Sequence, residues 1–148
     1  MTAFAVRLQE IADKTNRKAD DLVRDVITEV ATALDGRSPV GDPTLWKHPP
    51  SKGYKPGTFR GNWQPGIGSI PQGETGRVDP SGEETLSAII SAIPEHPAGT
   101  IFYIANNVPY ARTIEDGHST QAPTGLVGLT AVEFQSYVDR AAAQGQAA

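Results

Sequence analysis

Residues 37–70, RSPVGDPTLWKHPPSKGYKPGTFRGNWQPGIGSI, form the stretch around which the rest of the chain is organised. The stretch is crowded with Pro and Gly, yet it also carries large apolar side chains, namely Leu45, Trp46, Tyr54, Phe59 and Trp63. A flexible linker of this length is typically rich in Gly, Ser or charge and has little use for two tryptophans. Large aromatic residues in a long loop indicate docking on the same domain or on a neighbouring subunit. The pattern therefore predicts an extended docking loop over 37–60, carried by a small scaffold of helices and strands.

The positive charge of the chain is concentrated in this loop. Residues 1–36 carry five basic and seven acidic side chains, residues 37–73 carry five and one, and residues 74–148 carry three and nine. The three segments have net charges of −2, +4 and −6, which sum to the −4 of the whole chain. Such a patch favours an acidic partner subunit or a phosphate backbone. Lysines that simply keep a long loop soluble explain the same charges equally well.

Length and composition indicate one domain over residues 1–148, long enough to bury a proper core. The chain has no cysteine, which excludes disulfides and Cys-based metal sites and suits a reducing cytoplasm or a particle assembled inside a cell. No apolar run approaches the length of a membrane span. The first residues, MTAFAVRLQEIADK, lack the basic start and apolar block of an export signal. We therefore expect neither a membrane contact nor export.

Two helices are predicted from hydrophobic spacing on either side of the loop. Apolar residues over 18–34 recur at i, i+3, i+4 and i+7, which indicates an amphipathic helix that stops at Gly36. A second helix is predicted over 82–93. Ser81 and Glu84 have the spacing of a capping box at its start.

A last helix is predicted near the C-terminus. Thr130 and Glu133 have the spacing of another capping box, although the helix could begin a turn earlier, near Gly125. One face of this helix would carry the apolar side chains Ala131, Phe134, Val138 and Ala142. Residues 143–148 have little to bury and are expected to fray.

Two strands and a short helix complete the predicted elements. Residues 61–70 resemble a strand in which Trp63, Ile67 and Ile70 pack inwards, and Pro65 restricts it to an edge or a bulge. Residues 99–106 are rich in β-branched and aromatic side chains and predict a buried strand. A helix of one or two turns should follow over 109–117. The expected fold is α+β, with a small, mostly antiparallel sheet packed against the long N-terminal helix and the C-terminal helix.

The sequence contains no recognisable catalytic pattern. His48 and His96 stand beside prolines and lack the partners of a zinc-binding helix motif. His118 follows Glu115 and Asp116, and these three side chains could bind a cation. A helix end with exposed acids explains the same residues. We therefore predict no enzyme activity, no cofactor and no metal.

Two pairs of neighbouring acids have a structural explanation. Asp20-Asp21 and Glu83-Glu84 each fall in the first turn of a predicted helix, where negative charge complements the helix dipole. We therefore assign them no acid–base role.

The aromatic and basic side chains of the loop could instead bind nucleic acid. Stacking aromatics between phosphate-binding lysines is the usual way to hold a single strand. The prolines and glycines of the loop, however, leave no regular platform, and the acidic remainder of the chain would repel DNA.

Five short motifs, in this order, resemble the tail-completion (head–tail joining, or neck) proteins of long-tailed bacteriophages. They are SPV at 38–40, GTFRGNW at 57–63, YIANNVPYAR at 103–112, EDG at 115–117 and QAPTG at 121–125, and the resemblance spans roughly residues 4–143. The chain departs from the family pattern at three points. It inserts residues 41–56, has Thr58 where arginine is common, and has Gly128 where an arginine is expected.

The resemblance implies a structural virion protein without enzyme activity. Such a protein forms a ring of six subunits at the head–tail junction and assembles in the host cytoplasm. The implied partners are other copies, a head connector or stopper protein, and a tail terminator or tail tube protein, with non-specific contact to genomic DNA as a further option. A tail-terminator role and a nucleic-acid-binding accessory role remain alternatives.

The predicted interface combines the loop with part of the third motif. Aromatic and basic side chains are the ones most often found in the energetically important part of an interface. Trp63, by contrast, is expected to cover its own sheet. The predicted interface residues are Trp46, Lys47, Lys52, Tyr54, Lys55, Phe59, Arg60, Tyr110 and Arg112.

Overall fold

The chain has the predicted α+β fold, with a two-stranded antiparallel sheet between an N-terminal and a C-terminal helix. The structure is a computed structural model, and it describes residues 18–40, 55–117 and 125–146. The elements in chain order are α1 (Ala19–Arg37), α2 (Thr58–Gly61), β1 (Trp63–Ile67), α3 (Glu83–Ser91), β2 (Phe102–Asn106), α4 (Ala111–Glu115), α5 (Val127–Val132) and α6 (Phe134–Gln146).

Helix α1 confirms the N-terminal helix predicted over 18–34, but it ends three residues later. Gly36 does not stop it, and the helix continues to Arg37. The end comes at Ser38, whose backbone is extended (φ −66°, ψ 128°) because the following Pro39 disfavours helical geometry there. The Ser38 hydroxyl then donates to the carbonyl of Leu34 at 2.6 Å and satisfies one of the last free acceptors.

The sheet consists of β1 and β2 alone among the described residues. Trp63 lies opposite Asn106, and Ile67 lies opposite Phe102. Pro65 lies opposite Ile104 in this ladder. Both strands of a two-stranded sheet are edges, so the missing N–H of the proline is tolerated, as predicted.

The predicted strands were too long at their ends. Gly61 belongs to the one-turn helix α2 rather than to a strand over 61–70. Ile67 and Ile70 were predicted to pack inwards, but they are 51% and 38% exposed. Trp63, at the start of the strand, is buried in the core, whereas Ile67 lies at its end, where the chain turns away at Gly68, whose φ is +74°.

Helix α3 is capped by a residue other than the predicted one. Asp79, rather than a reciprocal pair of Ser81 and Glu84, satisfies its N-terminus. The Asp79 carboxylate accepts from the backbone N–H groups of Gly82 at 3.1 Å and Thr85 at 2.8 Å, and from the Thr85 hydroxyl at 2.7 Å. Ser81 accepts one N–H, from Glu83, at 3.3 Å.

The C-terminal helical region begins early, at Val127, which agrees with the earlier of the two predicted starts. Thr130 is not its cap. Its N–H donates to the carbonyl of Leu126, the residue before α5, and its buried hydroxyl accepts from Arg37 at 3.1 Å. Glu133 forms an ion pair with the same arginine instead of capping the helix.

Helix α6 differs from the prediction at the start of its apolar face. Val138 and Ala142 are buried as expected, whereas Ala131 lies in α5 and is exposed. The helix ends at Gln146, and fraying from residue 143 stays a prediction.

Helix α1 is at the centre of the core and contacts both α3 and α6. Helix α3 also contacts β1, and it makes the most extensive contact between the sheet and any helix. The largest fully buried apolar side chains are Leu22, Leu34, Ile89, Leu126 and Val138. Among the described residues, none of the helices combines the length and the apolar character needed to span a bilayer.

Candidate docking site

The two described ends of the predicted docking loop meet at one point. The N–H of Gly57 donates to the carbonyl of Val40 at 2.7 Å. Gly57 has φ +92°, and a Cβ there would lie 2.6 Å from the nitrogen of Pro80, so only glycine fits. We call this junction of Val40 and Gly57 the foot of the loop. Trp46, Lys47, Lys52 and Tyr54 belong to residues 41–54, which lie outside the described residues.

Arg60 forms hydrogen bonds with its own chain beside the foot. Its guanidinium donates to the carbonyl of Ser38 at 2.8 Å and to the carbonyl of Pro80 at 2.7 Å. It therefore ties the end of α1 to the segment before α3. The prediction that Arg60 contacts a partner is not supported, because two of its donors are already used at the foot.

Phe59 was also predicted at an interface, and in the single chain it is buried instead of exposed, although it lines the cleft described below. Its side chain is only 2% exposed. The ring packs edge-to-face on Trp63, with centroids 5.7 Å apart, and against the half-buried Tyr110 at 6.4 Å. The turn at Gly57 and the single turn of α2 direct Phe59 into the core, a change of direction that composition alone does not reveal.

Trp63 covers its own sheet, as predicted. Its side chain is 3% exposed, and its indole N–H donates to the hydroxyl of Ser38 at 2.6 Å. A buried indole needs such an acceptor. This bond joins β1 to the end of α1 and fixes where the loop leaves the core.

Three asparagines hold the neighbouring loops, and sequence reasoning missed all three. The side-chain amide of Asn106 donates to the carbonyl of Phe59 at 2.8 Å. That of Asn107 donates to the carbonyl of Pro71 at 2.8 Å, and the carbonyl oxygen of the Asn62 amide accepts from the N–H of Thr75 at 2.8 Å. The only sequence signal for these contacts was the position of the asparagines, since asparagine beside a strand often bonds to nearby backbone.

On the side of the site away from the foot, Glu115 caps helix α5. Its carboxylate accepts three backbone N–H groups, those of Leu126, Val127 and Gly128, each at 2.9 Å. These are free donors at the start of α5, so Glu115 caps that helix from a distance of eleven to thirteen residues along the chain. Gly125 is required beside it, because a Cβ there would lie 2.5 Å from the Glu115 carbonyl.

The cation site considered for Glu115, Asp116 and His118 is not supported. The Glu115 carboxylate is occupied by backbone donors, and Asp116 lies 3.9 Å from the guanidinium of Arg112. His118 lies outside the described residues. Within the parts of the chain that the structure describes, no three His, Asp or Glu side chains gather at a metal-binding distance.

His96 and Asp20 form a second contact at the start of α1. His96 is largely exposed, as expected, and its Nδ1 lies 2.8 Å from an Asp20 oxygen. A hydrogen bond from the backbone of Ala98, together with His96, lowers the pKa of Asp20. Asp20 and Asp21 lie in the first helical turn, as predicted.

Lys55 and Arg112 are the predicted interface residues that the structure places on the surface. Lys55 is exposed beside the foot. The Arg112 side chain is 91% exposed, and its contact with Asp116 is long, so little holds it in place.

A cleft of about 590 Å³ opens between the loop after β2 and the start of α5. Its floor is apolar and includes Trp63, Val108 and Leu126. Arg112 and Asp116 lie on its charged rim. The sequence did not predict this cleft, because its walls come from segments more than 60 residues apart.

Behind the foot, Asp35 is buried in surroundings that disfavour its charged form. Its carboxylate packs on the backbone of Gly82, and its Oδ1 finds no hydrogen-bond partner among the described residues. Burial raises the pKa of Asp35, the charge of Arg60 opposes this, and the charge of Asp79 adds to it, so that the pKa lies at about 6. The pKa of Asp79 is lowered despite burial, because Thr85, Gly82 and Ser81 donate to it.

Comparisons with known protein families, with curated proteins and with solved structures gave no match. The five sequence motifs and the contacts among them are therefore the basis for a functional proposal.

Proposed function

We propose that this chain is a structural protein of the bacteriophage neck, forming a ring that joins the head connector to the tail tube. The observation that supports this proposal is the contact between motifs that are far apart in sequence. The Trp63 indole of the second motif donates to Ser38 of the first. Asn106 of the third motif donates to the Phe59 carbonyl of the second.

The last two motifs are joined in the same way. Gly125 of the fifth motif lies against Glu115 of the fourth, and the Glu115 carboxylate caps the helix that follows. The third motif contributes Tyr110, which packs on Phe59 of the second. Motifs that specify one architecture should contact each other, as these do.

A docking role also fits the surface of the described residues. Ile67, Ile70 and Ile101 are exposed at one end of the sheet, where the N–H of Gly68 bonds to the Ile101 carbonyl. Large exposed apolar side chains that cluster in this way typically mark a contact with another protein. The cleft beside α5 adds a second such surface.

The test is assembly with the partners encoded beside this chain in its genome. The purified chain should form rings visible by electron microscopy, and it should bind both the head connector and the tail tube protein. Binding to the tube alone would instead indicate a tail terminator. Binding to DNA with a steep salt dependence, and to neither protein, would indicate the nucleic-acid-binding alternative. A monomer that binds none of these would refute the proposal.

A further inference from the structure

We propose that the cleft beside α5 receives residues 41–54 of a second copy of this chain. This inference rests on the proposed ring and names the contact that would hold neighbouring subunits together. It goes beyond the predicted interface, because it assigns the receiving surface as well as the inserted segment.

The size and lining of the cleft suit large apolar side chains. A volume of about 590 Å³ lies within the range of pockets that bury small organic ligands. Among its lining residues, Pro109, Ala111, Val127 and Ala131 are exposed or half-buried and supply accessible apolar surface. Residues 41–54 contain Leu45, Trp46 and Tyr54, which are side chains of that kind. Burial of one or two aromatic rings there would provide the anchor that stable interfaces commonly need.

The charges of the two surfaces are also complementary. The cleft is lined by one basic and two acidic side chains, Arg112, Glu115 and Asp116. Residues 41–54 carry two lysines and one aspartate, so the segment is positive and the cleft is negative. Complementary charge at a rim favours the correct pairing and raises the rate of association.

The length of the segment allows it to reach a neighbour. Fourteen residues separate Val40 from Lys55, and the foot holds the two ends together at Val40 and Gly57. A loop that leaves and returns at one point can extend at most half its contour length, which is about 25 Å. This reach exceeds the diameter of a helix, about 10 Å.

A second copy is the occupant that a ring requires. A closed ring of identical subunits is held by two different, complementary surfaces, one on each side of every subunit. The loop and the cleft are two such surfaces. A loop folded into its own cleft would contribute nothing to the contact between subunits.

Crosslinking tests this directly, because the chain has no native cysteine. One variant carries Thr44→Cys, next to the apolar pair Leu45-Trp46 that it leaves intact, and another carries Ala131→Cys, an exposed position that lines the cleft. A short bis-maleimide reagent added to the mixture should produce a crosslinked heterodimer. The matched control replaces Ala131→Cys by Ser87→Cys on the exposed side of α3, and it should give at least tenfold less product.

The double variant distinguishes the two possible origins of the loop. Thr44→Cys/Ala131→Cys chains should crosslink between chains, and an excess of cysteine-free chain should suppress that product. Crosslinking within a single chain, unaffected by the dilution, would overturn the inference. Rings that form without any Thr44–Ala131 product would overturn it too, while leaving the proposed neck function intact. Failure to form rings or to bind the neck partners would refute the function itself.

Discussion

At the scale of single residues, Asp35 shows how burial and charge oppose each other behind the foot. The pKa of Asp35 in the folded chain is about 6, above the ordinary 3.8. Between these two pH values the native chain therefore holds a proton on Asp35 that the unfolded chain has lost. Stability must therefore fall as the pH rises from about 4 to about 6, and it remains lower above that range. The whole effect amounts to about 2 to 3 kcal/mol.

Replacing Asp35 with asparagine should remove this penalty. Asp35→Asn keeps the shape of the side chain but has no charge to bury, so it should raise the free energy of unfolding at pH 7.5 by about 1 to 3 kcal/mol. The gain should shrink to near zero at pH 4. Urea unfolding of both proteins across this pH range measures the difference.

Asp139→Asn, on the exposed side of α6, is the matched control and should change little at either pH. An Asp35→Asn protein with the same pH dependence as the wild type would show that Asp35 does not carry the penalty.

At the scale of elements, Glu115 determines where α5 begins. It is the acceptor for three N–H groups that would otherwise lack a partner at that helix end. Glu115→Ala should lower the free energy of unfolding by about 1 to 2 kcal/mol, the usual loss when a helix cap is removed. Hydrogen exchange should accelerate at Leu126, Val127 and Gly128.

Glu95→Ala removes an exposed glutamate on the surface and serves as the comparison. Equal protection of the α5 amides in both variants would contradict the capping role. Glu115→Gln, which keeps an oxygen acceptor, should fall between the wild type and the alanine variant.

The helices could be predicted from sequence because their signal is local, whereas their caps could not. Periodic apolar residues define α1 whatever surrounds it. The residue that caps α3, Asp79, lies outside the spacing of the expected box, and the residue that caps α5, Glu115, comes from a different helix. The burial of Phe59 was missed for the same reason. Whether an aromatic in a glycine-rich loop faces inwards depends on a turn whose geometry is fixed by contacts with Pro80.

At the scale of the whole molecule, charge counting overestimated the free basic surface of residues 37–73. Two of its five basic side chains are used inside the fold. Arg37 pairs with Glu133, which raises the pKa of Arg37, and Arg60 binds two carbonyls at the foot. The net charge of a segment is visible in the sequence, but the partner of each charge is a property of the fold.

Deleting residues 43–56 should separate folding from assembly. The deletion leaves Gly41 and Asp42 between Val40 and Gly57, which is the length of a β-turn whose i to i+3 hydrogen bond matches the existing Val40–Gly57 bond. The free energy of unfolding should change by less than about 1 kcal/mol, since the entropy of loop closure depends only weakly on loop length. Ring formation should be lost, and analytical ultracentrifugation measures this.

A Gly/Ser segment of the same length is the control for this deletion, because it restores the length without the aromatic and basic side chains. It should also fail to assemble. Unchanged particle assembly in the deletion variant would refute the role of the loop.

The bond between Val40 and Gly57 also makes this position a natural site for grafting. Because the two backbone segments are already hydrogen-bonded to each other, a foreign peptide inserted between them starts and ends at a fixed pair of positions. Epitopes or affinity tags inserted there should be displayed without loss of the underlying fold.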